Sequence, residues 1–166
     1  MANDELQIRE ITGENLDKSV NIIRRAFGTV AEEMGYTEAL VSAFPAFTTV
    51  EKLNVLKSRG AVFFGGFIDG KQAGFAALEK EPDGKYYIKR ISVLPEYRHS
   101  GLGRALVNHV IGYVRNKGET KLHLTMADEN PVLRNWYLGM GFKETSIKKF
   151  EHLPFYVSFM ERDIRQ

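Results

Sequence analysis

The 166-residue chain contains no cysteine. This excludes a disulfide framework, a thiolate metal site and a cysteine nucleophile, and it is compatible with a reducing compartment. No apolar run approaches the ~20 residues that a membrane helix needs. The opening Met-Ala-Asn-Asp-Glu-Leu-Gln has neither the basic nor the apolar region of a signal peptide. A soluble, cytoplasmic protein with no membrane partner is the expectation. Charge of one sign is scarce too. The 23 Lys+Arg and 21 Asp+Glu leave a net +2, too little to argue for a nucleic-acid partner. His99, His109, His123 and His152 lack the spacing of metal ligands, so no metal is expected.

No internal repeat, low-complexity tract or Pro/Gly/Ser linker divides the chain, and residues 1–166 are read as a single domain. A hydrophobic share of 43% suffices for a core at this size, where about 70% of the unfolded chain's surface can be buried. Leu6 to Ile11 alternates as a strand does. Leu16, Val20, Ile23 and Phe27 recur at helical spacing. From Gly28 to Phe47 the pattern mixes aromatics with Gly35 and Pro45, and reads as a broken helix or an ordered loop. Thr48 with Glu51 has capping-box spacing and opens a short helix to about Arg59. Ala61 to Ile68, Asp69-Gly70 and Gln72 to Glu79 form a hairpin signature. Pro82-Asp83-Gly84 turns into a strand from Tyr86 to Val93. A helix then runs from about Gly101 to Asn116, with Gly118 at its end. A strand from Lys121 to Met126 follows, then a helix capped by Asn130 with Pro131 at its first position, ending at Gly141. Phe142 to Ile147 and Phe155 to Met160 close the chain as paired strands. This order predicts an α/β (α+β) fold with a mixed sheet.

The most informative stretch is Val93-Leu94-Pro95-Glu96-Tyr97-Arg98-His99-Ser100-Gly101-Leu102-Gly103-Arg104. A strand ends, a turn carries two glycines, and an amphipathic helix begins. The first turn of a helix has unpaired N–H groups and the positive end of the dipole, which together form an anion site. Gly101 and Gly103 let a diphosphate approach the backbone, while Arg98, His99 and Arg104 add charge. A turn that binds nothing carries the same local pattern. The third glycine of the dinucleotide fingerprint is missing, and no Gly-Lys-Ser/Thr of a P-loop occurs.

Arg98-x-x-Gly101-x-Gly103, after a strand ending in Val93-Leu94-Pro95, resembles motif A of the GNAT superfamily of N-acetyltransferases. Downstream, Asn130-Pro131 and then Asn135-Trp136-Tyr137-Leu138-Gly139-Met140-Gly141-Phe142 resemble its motif B. The resemblance extends from Leu6 to about Ile164. It implies a mixed, mostly antiparallel sheet of about seven strands with about four helices and two splayed parallel central strands, here Tyr86 to Val93 and Lys121 to Met126. It also implies acetyl-CoA (coenzyme A) as co-substrate and transfer to a primary amine by direct attack, through a tetrahedral intermediate.

By the same resemblance, the main chain of Ile91, Ser92 and Val93 would hold the pantetheine arm. The N–H of Ile91 would stabilise the oxyanion. Arg98, His99, Ser100, Gly101, Leu102, Gly103 and Arg104 would bind the diphosphate, and Asn130 would hydrogen-bond the pantetheine. Tyr137 would protonate the leaving thiolate. Some members place a glutamate base four residues before the oxyanion donor, where this chain has Tyr87. Glu79 is the substitute candidate, its alternative reading being an exposed strand-end carboxylate beside Lys80 and Glu81. The amine could also arrive deprotonated. The alternative for Tyr137 is a core aromatic beside Trp136 and Phe142.

Tyr36, Phe44, Phe47, Phe63, Phe64 and Phe155 are expected in the core, with a subset near Gly28 to Phe47 available to an acceptor pocket. Lys148-Lys149 reads as a solvated face. The acceptor could be a small-molecule or peptide amine. A homodimer is compatible with the superfamily's habits, and no residue here decides it. A non-catalytic acyl-CoA sensor or scaffold is the competing reading, left open by the missing glutamate.

Overall fold

Asp69 and Gly70, at φ 50° and 82°, make the two-residue turn that the sequence predicts. This turn joins β2 (Val62–Ile68) to β3 (Lys71–Lys80). The computed structural model describes residues 5–13 and 15–165. Around that hairpin lie β1 (Leu6–Ile11), α1 (Asp17–Met34), α2 (Val50–Ser58), β4 (Tyr86–Val93), α3 (Leu102–Asn116), β5 (Lys121–Ala127), α4 (Pro131–Gly139), β6 (Lys143–Lys149) and β7 (Tyr156–Asp163). The strands form one seven-stranded sheet in the order β1-β2-β3-β4-β5-β7-β6. Every neighbouring pair is antiparallel except β4 and β5.

Two boundaries differ from expectation. α1 continues through Gly28 to Met34 and stops at Gly35, in the left-handed conformation at φ 73°. A mid-helix glycine costs about 1 kcal/mol. Here the apolar face carries on past it, with Ala26 and Ala31 buried and Phe27 packed on the core. A short 3-10 turn at Pro45–Phe47 leads on to α2. The cap of α2 is Thr49, whose hydroxyl accepts from the Lys52 amide at 3.2 Å. Thr48 sits one residue too early for that job, and donates its hydroxyl to the Pro45 carbonyl instead.

β2 and β3 are buried along most of their length, which requires cover on both faces. α1 packs on β3 and β4, and α3 packs on β1 to β4. The main core gathers Phe63, Phe64, Phe75, Leu102, Leu106 and Leu122, all nearly sealed. Glycines set how closely α3 sits. A Cβ on Gly66 would lie 2.9 Å from Leu102, and one on Gly74 3.0 Å from both Leu102 and Leu106. The sheet is thus hollowed where α3 begins, and Leu102 fills the hollow. A second cluster forms beside the site. Tyr36, Val41 and Ala46 from the α1–α2 segment meet Phe155 and Val157, with Phe44 and Phe47 packed on it.

Candidate active site

β4 and β5 register through a single pair, Tyr87 opposite His123. Beyond it towards its carboxyl end, β4 is paired with β3 alone. The edge of β4 that faces β5 therefore has no registered partner over Ile88 to Val93, and such an edge accepts an added extended chain. A bulge lies in this stretch. Ala77 pairs with Lys89 and Phe75 with Ser92, so two steps on β3 oppose three on β4. Arg90 takes up the surplus at φ 55°. A non-glycine residue in that region is strained, and bulges of this kind re-aim the backbone next to functional sites. The buried Ser92 braces the bulge, donating its hydroxyl to the Arg90 carbonyl at 2.9 Å. Ile91 follows directly.

After a 3-10 turn at Pro95–Tyr97 the chain bends into α3. His99 stands at φ 65° and Gly101 at φ 88°, on either side of Ser100. This alternation makes a concave nest of N–H groups. The Leu102 amide is taken by the Ser100 hydroxyl at 3.3 Å, and the Ala105 amide by the Gly101 carbonyl. The amides of His99, Ser100, Gly101, Gly103 and Arg104 make no hydrogen bond to the described residues. Five unpaired donors at the start of a 15-residue helix fit an anion of diphosphate size. Trp136 of α4 closes over this turn, so a Cβ on Gly103 would lie 3.1 Å from its ring.

The side chain of Arg98 does not join this nest. Its guanidinium donates to the Ala26 carbonyl and to the Thr29 hydroxyl, both at 3.1 Å, and so pins the bend to α1. Arg25 reinforces the tie through a two-pronged pair with Glu96 at 2.9 and 3.1 Å. His99 and Arg104 remain exposed beside the amides. Leu102 contributes its side chain to the core rather than to a ligand.

Asn130 caps α4, accepting from the Leu133 amide at 3.1 Å. Its carbonyl oxygen is committed there, which leaves the amide NH₂ to donate elsewhere. Tyr137 is buried, with ring centroids 5.1 Å from Trp136 and 5.8 Å from Phe142. Burial pushes its phenol pKa well above the ordinary tyrosine range. Its hydroxyl has no hydrogen-bond partner among the described residues, yet is not sealed from solvent. The packing of the ring thus leaves the hydroxyl uncommitted among the described residues.

Glu79 is not the exposed strand-end carboxylate of the alternative reading. It faces Lys89 at 3.5 Å and Arg90 at 3.6 Å, with its side chain 17% exposed. Strand pairing explains part of this, since Glu79 lies opposite Tyr87 and Lys89 is one pleat repeat further on, while Arg90 sits at the bulge beyond it. The Glu79 Oε2, the oxygen that faces Arg90, is sealed and accepts no hydrogen bond among the described residues. Sequence reasoning missed two further features. Arg90 is mostly buried, and desolvation lowers its pKa despite Glu79 beside it. Tyr36 donates its hydroxyl to Glu129, tying the α1–α2 segment to the residue before the α4 cap. Neither leaves a local sequence signal. Among the described residues no cluster of His, Asp or Glu could hold a metal ion, and no helix is long and apolar enough to cross a membrane.

Residues 26–142 match the acetyltransferase (GNAT) family. The alanine N-acetyltransferase of ribosomal protein bS18 from Escherichia coli is 33% identical over 81 residues, 49% of this chain and 54% of that enzyme. The chain thus spans about half the length of that relative. Spermidine N(1)-acetyltransferase from Thermoplasma acidophilum is 25% identical over 143 residues, 83% of this chain and 88% of that one. The PaiA N-acetyltransferase of Thermoplasma acidophilum, solved with coenzyme A, superimposes with a TM-score of 0.78 at 22% identity, covering 96% of this chain and 99% of that one.

Proposed function

This chain belongs to the acetyltransferase (GNAT) family, and we propose on that premise that it moves an acetyl group from acetyl-CoA to a primary amine. One observation carries the reading. A strand edge without a registered partner leads into a bend with five amides that make no hydrogen bond among the described residues. An extended arm ending in a diphosphate is the ligand that such a track suits.

Acetyl-CoA would bring the thioester carbonyl and a thiolate leaving group. The amides of His99, Ser100, Gly101, Gly103 and Arg104 hold the diphosphate, with the His99 and Arg104 side chains adding charge. The main chain of Ile91, Ser92 and Val93 carries the pantetheine, joined by the free NH₂ of Asn130. The bulge at Arg90 turns the next amide, that of Ile91, towards the reacting carbonyl. An N–H fixed there is worth most where charge develops. Tyr137, kept protonated by burial, supplies the proton to the departing sulfur. Glu79, held in place by two cations, takes the amine's proton through water; an amine that arrives neutral sheds its proton to solvent from the tetrahedral intermediate, and solvent reprotonates Tyr137. Residues 1–166 act as one acyltransferase domain, in the cytoplasm, on a small-molecule or peptide amine.

The test pairs two measurements. Calorimetric titration should show acetyl-CoA binding in the micromolar range, and an amine library should then release free thiol. No binding at high micromolar coenzyme would end the proposal. Binding without thiol release across the library would reduce the protein to a coenzyme-binding module.

A further inference from the structure

Arg90 carries five N–H donors, and its side chain makes no hydrogen bond among the described residues. Glu79 is its neighbour at 3.6 Å, too far for a hydrogen bond. One of these donors, Nε, is sealed off, but the side chain remains 18% exposed and lines a cleft of ≈300 Å³. The cleft lies between the segment before α2 and α2 itself. Ala43, Phe44, Val55 and Leu56 form apolar walls, and Val55 is 47% exposed. Lys52 holds the wall together, donating to the carbonyls of Ser42 and Phe47 at 2.8 and 3.0 Å. The charged side chains lining the cleft are these two cations, with no carboxylate among its lining residues.

Position gives the cleft its meaning. Arg90 directly precedes Ile91, so the cleft adjoins the place where the acyl carbon would sit. An amine entering there with further positive charge would meet Arg90 and Lys52 and be repelled. A carboxylate would find guanidinium donors that face Glu79 at 3.6 Å but make no hydrogen bond among the described residues, in the planar geometry that suits it. We propose that this cleft receives the acceptor and that Arg90 binds a carboxylate on it. The acceptor is then a small amine with a carboxylate and an apolar body, an aliphatic or aromatic amino acid or close analogue, rather than a polyamine. This inference rests on the acetyl-transfer reading above.

Matched acceptors test it. Thiol release from acetyl-CoA is followed with L-leucine against L-leucinamide, L-phenylalanine against L-phenylalaninamide, and spermidine. Rates are compared per neutral amine, because amidation lowers the amine's pKa. The carboxylates should lead by at least tenfold in kcat/KM, mostly through KM. Arg90→Gln should abolish that lead, since its looser hold on Glu79 falls on acid and amide alike, and Arg90→Lys should restore part of it. Should Arg90→Gln fail to fold, Val55→Glu on the exposed wall is the second variant. It should raise KM for leucine more than for leucinamide. Equal kcat/KM within each pair, or a preference for spermidine, would overturn the carboxylate assignment and leave acetyl transfer standing. Coenzyme bound with no amine turned over would overturn both.

Discussion

Tyr87 stands opposite His123 with ring centroids 5.3 Å apart, and from this pair β4 and β5 diverge. Burial first, and then Lys85, hold the imidazole pKa below its ordinary value, against Glu161 and Asp83, which push it up. The unfolded chain therefore takes its proton near pH 6.5, while the folded chain takes it at lower pH. Between those points the unfolded state binds more protons. Stability is thus complete above about pH 6.5 and falls as the solution is acidified through it, by at most about 1.4 kcal/mol per pH unit from this group. Urea melts of the wild type and of His123→Phe at pH 7.5 and 5.5 measure the contribution. The variant should lose less stability on acidification, and equal losses would refute the argument.

Tyr137→Phe removes one hydroxyl and keeps the ring packed against Trp136 and Phe142. The leaving thiol is itself a better acid than the phenol, so the loss of kcat should sit near the low end of the ~10²–10⁴-fold range for acid–base residues. Acetyl-CoA affinity and melting temperature should barely change. A variant that melts much earlier, at full activity per folded molecule, would show that the residue only packs.

Gly101→Ala places a Cβ on a residue at φ 88°. The left-handed conformation costs about 1–2 kcal/mol for an L side chain, partly offset by about 0.4–1 kcal/mol from the stiffer unfolded chain. A net loss of about 1 kcal/mol is expected in chemical denaturation. The strain falls on the amides of the bend, and acetyl-CoA affinity should drop about tenfold in calorimetry, near 1.4 kcal/mol. Unchanged affinity would remove the bend from the binding site.

Tyr36→Phe breaks the contact with Glu129. Hydrogen bonds to charged groups contribute about 1.5–3 kcal/mol, and solvent at this partly exposed carboxylate places the loss at the lower end. The contact ties the segment that lines the cleft. KM for the acceptor should therefore rise severalfold, with acetyl-CoA affinity unchanged. Steady-state kinetics with each substrate varied in turn separates the two, and a matching rise for acetyl-CoA would contradict the assignment.

The elements that could be read from sequence are those fixed by neighbours along the chain. Asp69-Gly70 specifies its turn because both residues tolerate positive φ. Asn130-Pro131 marks the start of α4 because cap and first position are adjacent. Gly28 misled, since its local cost is outweighed by packing of residues on either side of it, which no local pattern contains. The site was half visible. The two glycines of the bend and Tyr137 lie within recognisable strings. The docking of Arg98 on α1 spans 72 residues in sequence, and the Tyr36–Glu129 contact spans 93, so neither has a short-range signature. Arg90 stayed hidden because its proposed role rests on a dihedral angle and on donors that make no hydrogen bond among the described residues.

Arg98 has a last consequence. Its guanidinium is spent on α1, so on the proposed reading the grip on the diphosphate falls mainly to peptide N–H groups, which every residue type but proline carries. Chains can then drift widely at these positions and still hold the same coenzyme, provided the bend keeps its curvature. A spelling as loose as two glycines and one long polar residue is what such a grip leaves behind in a gene.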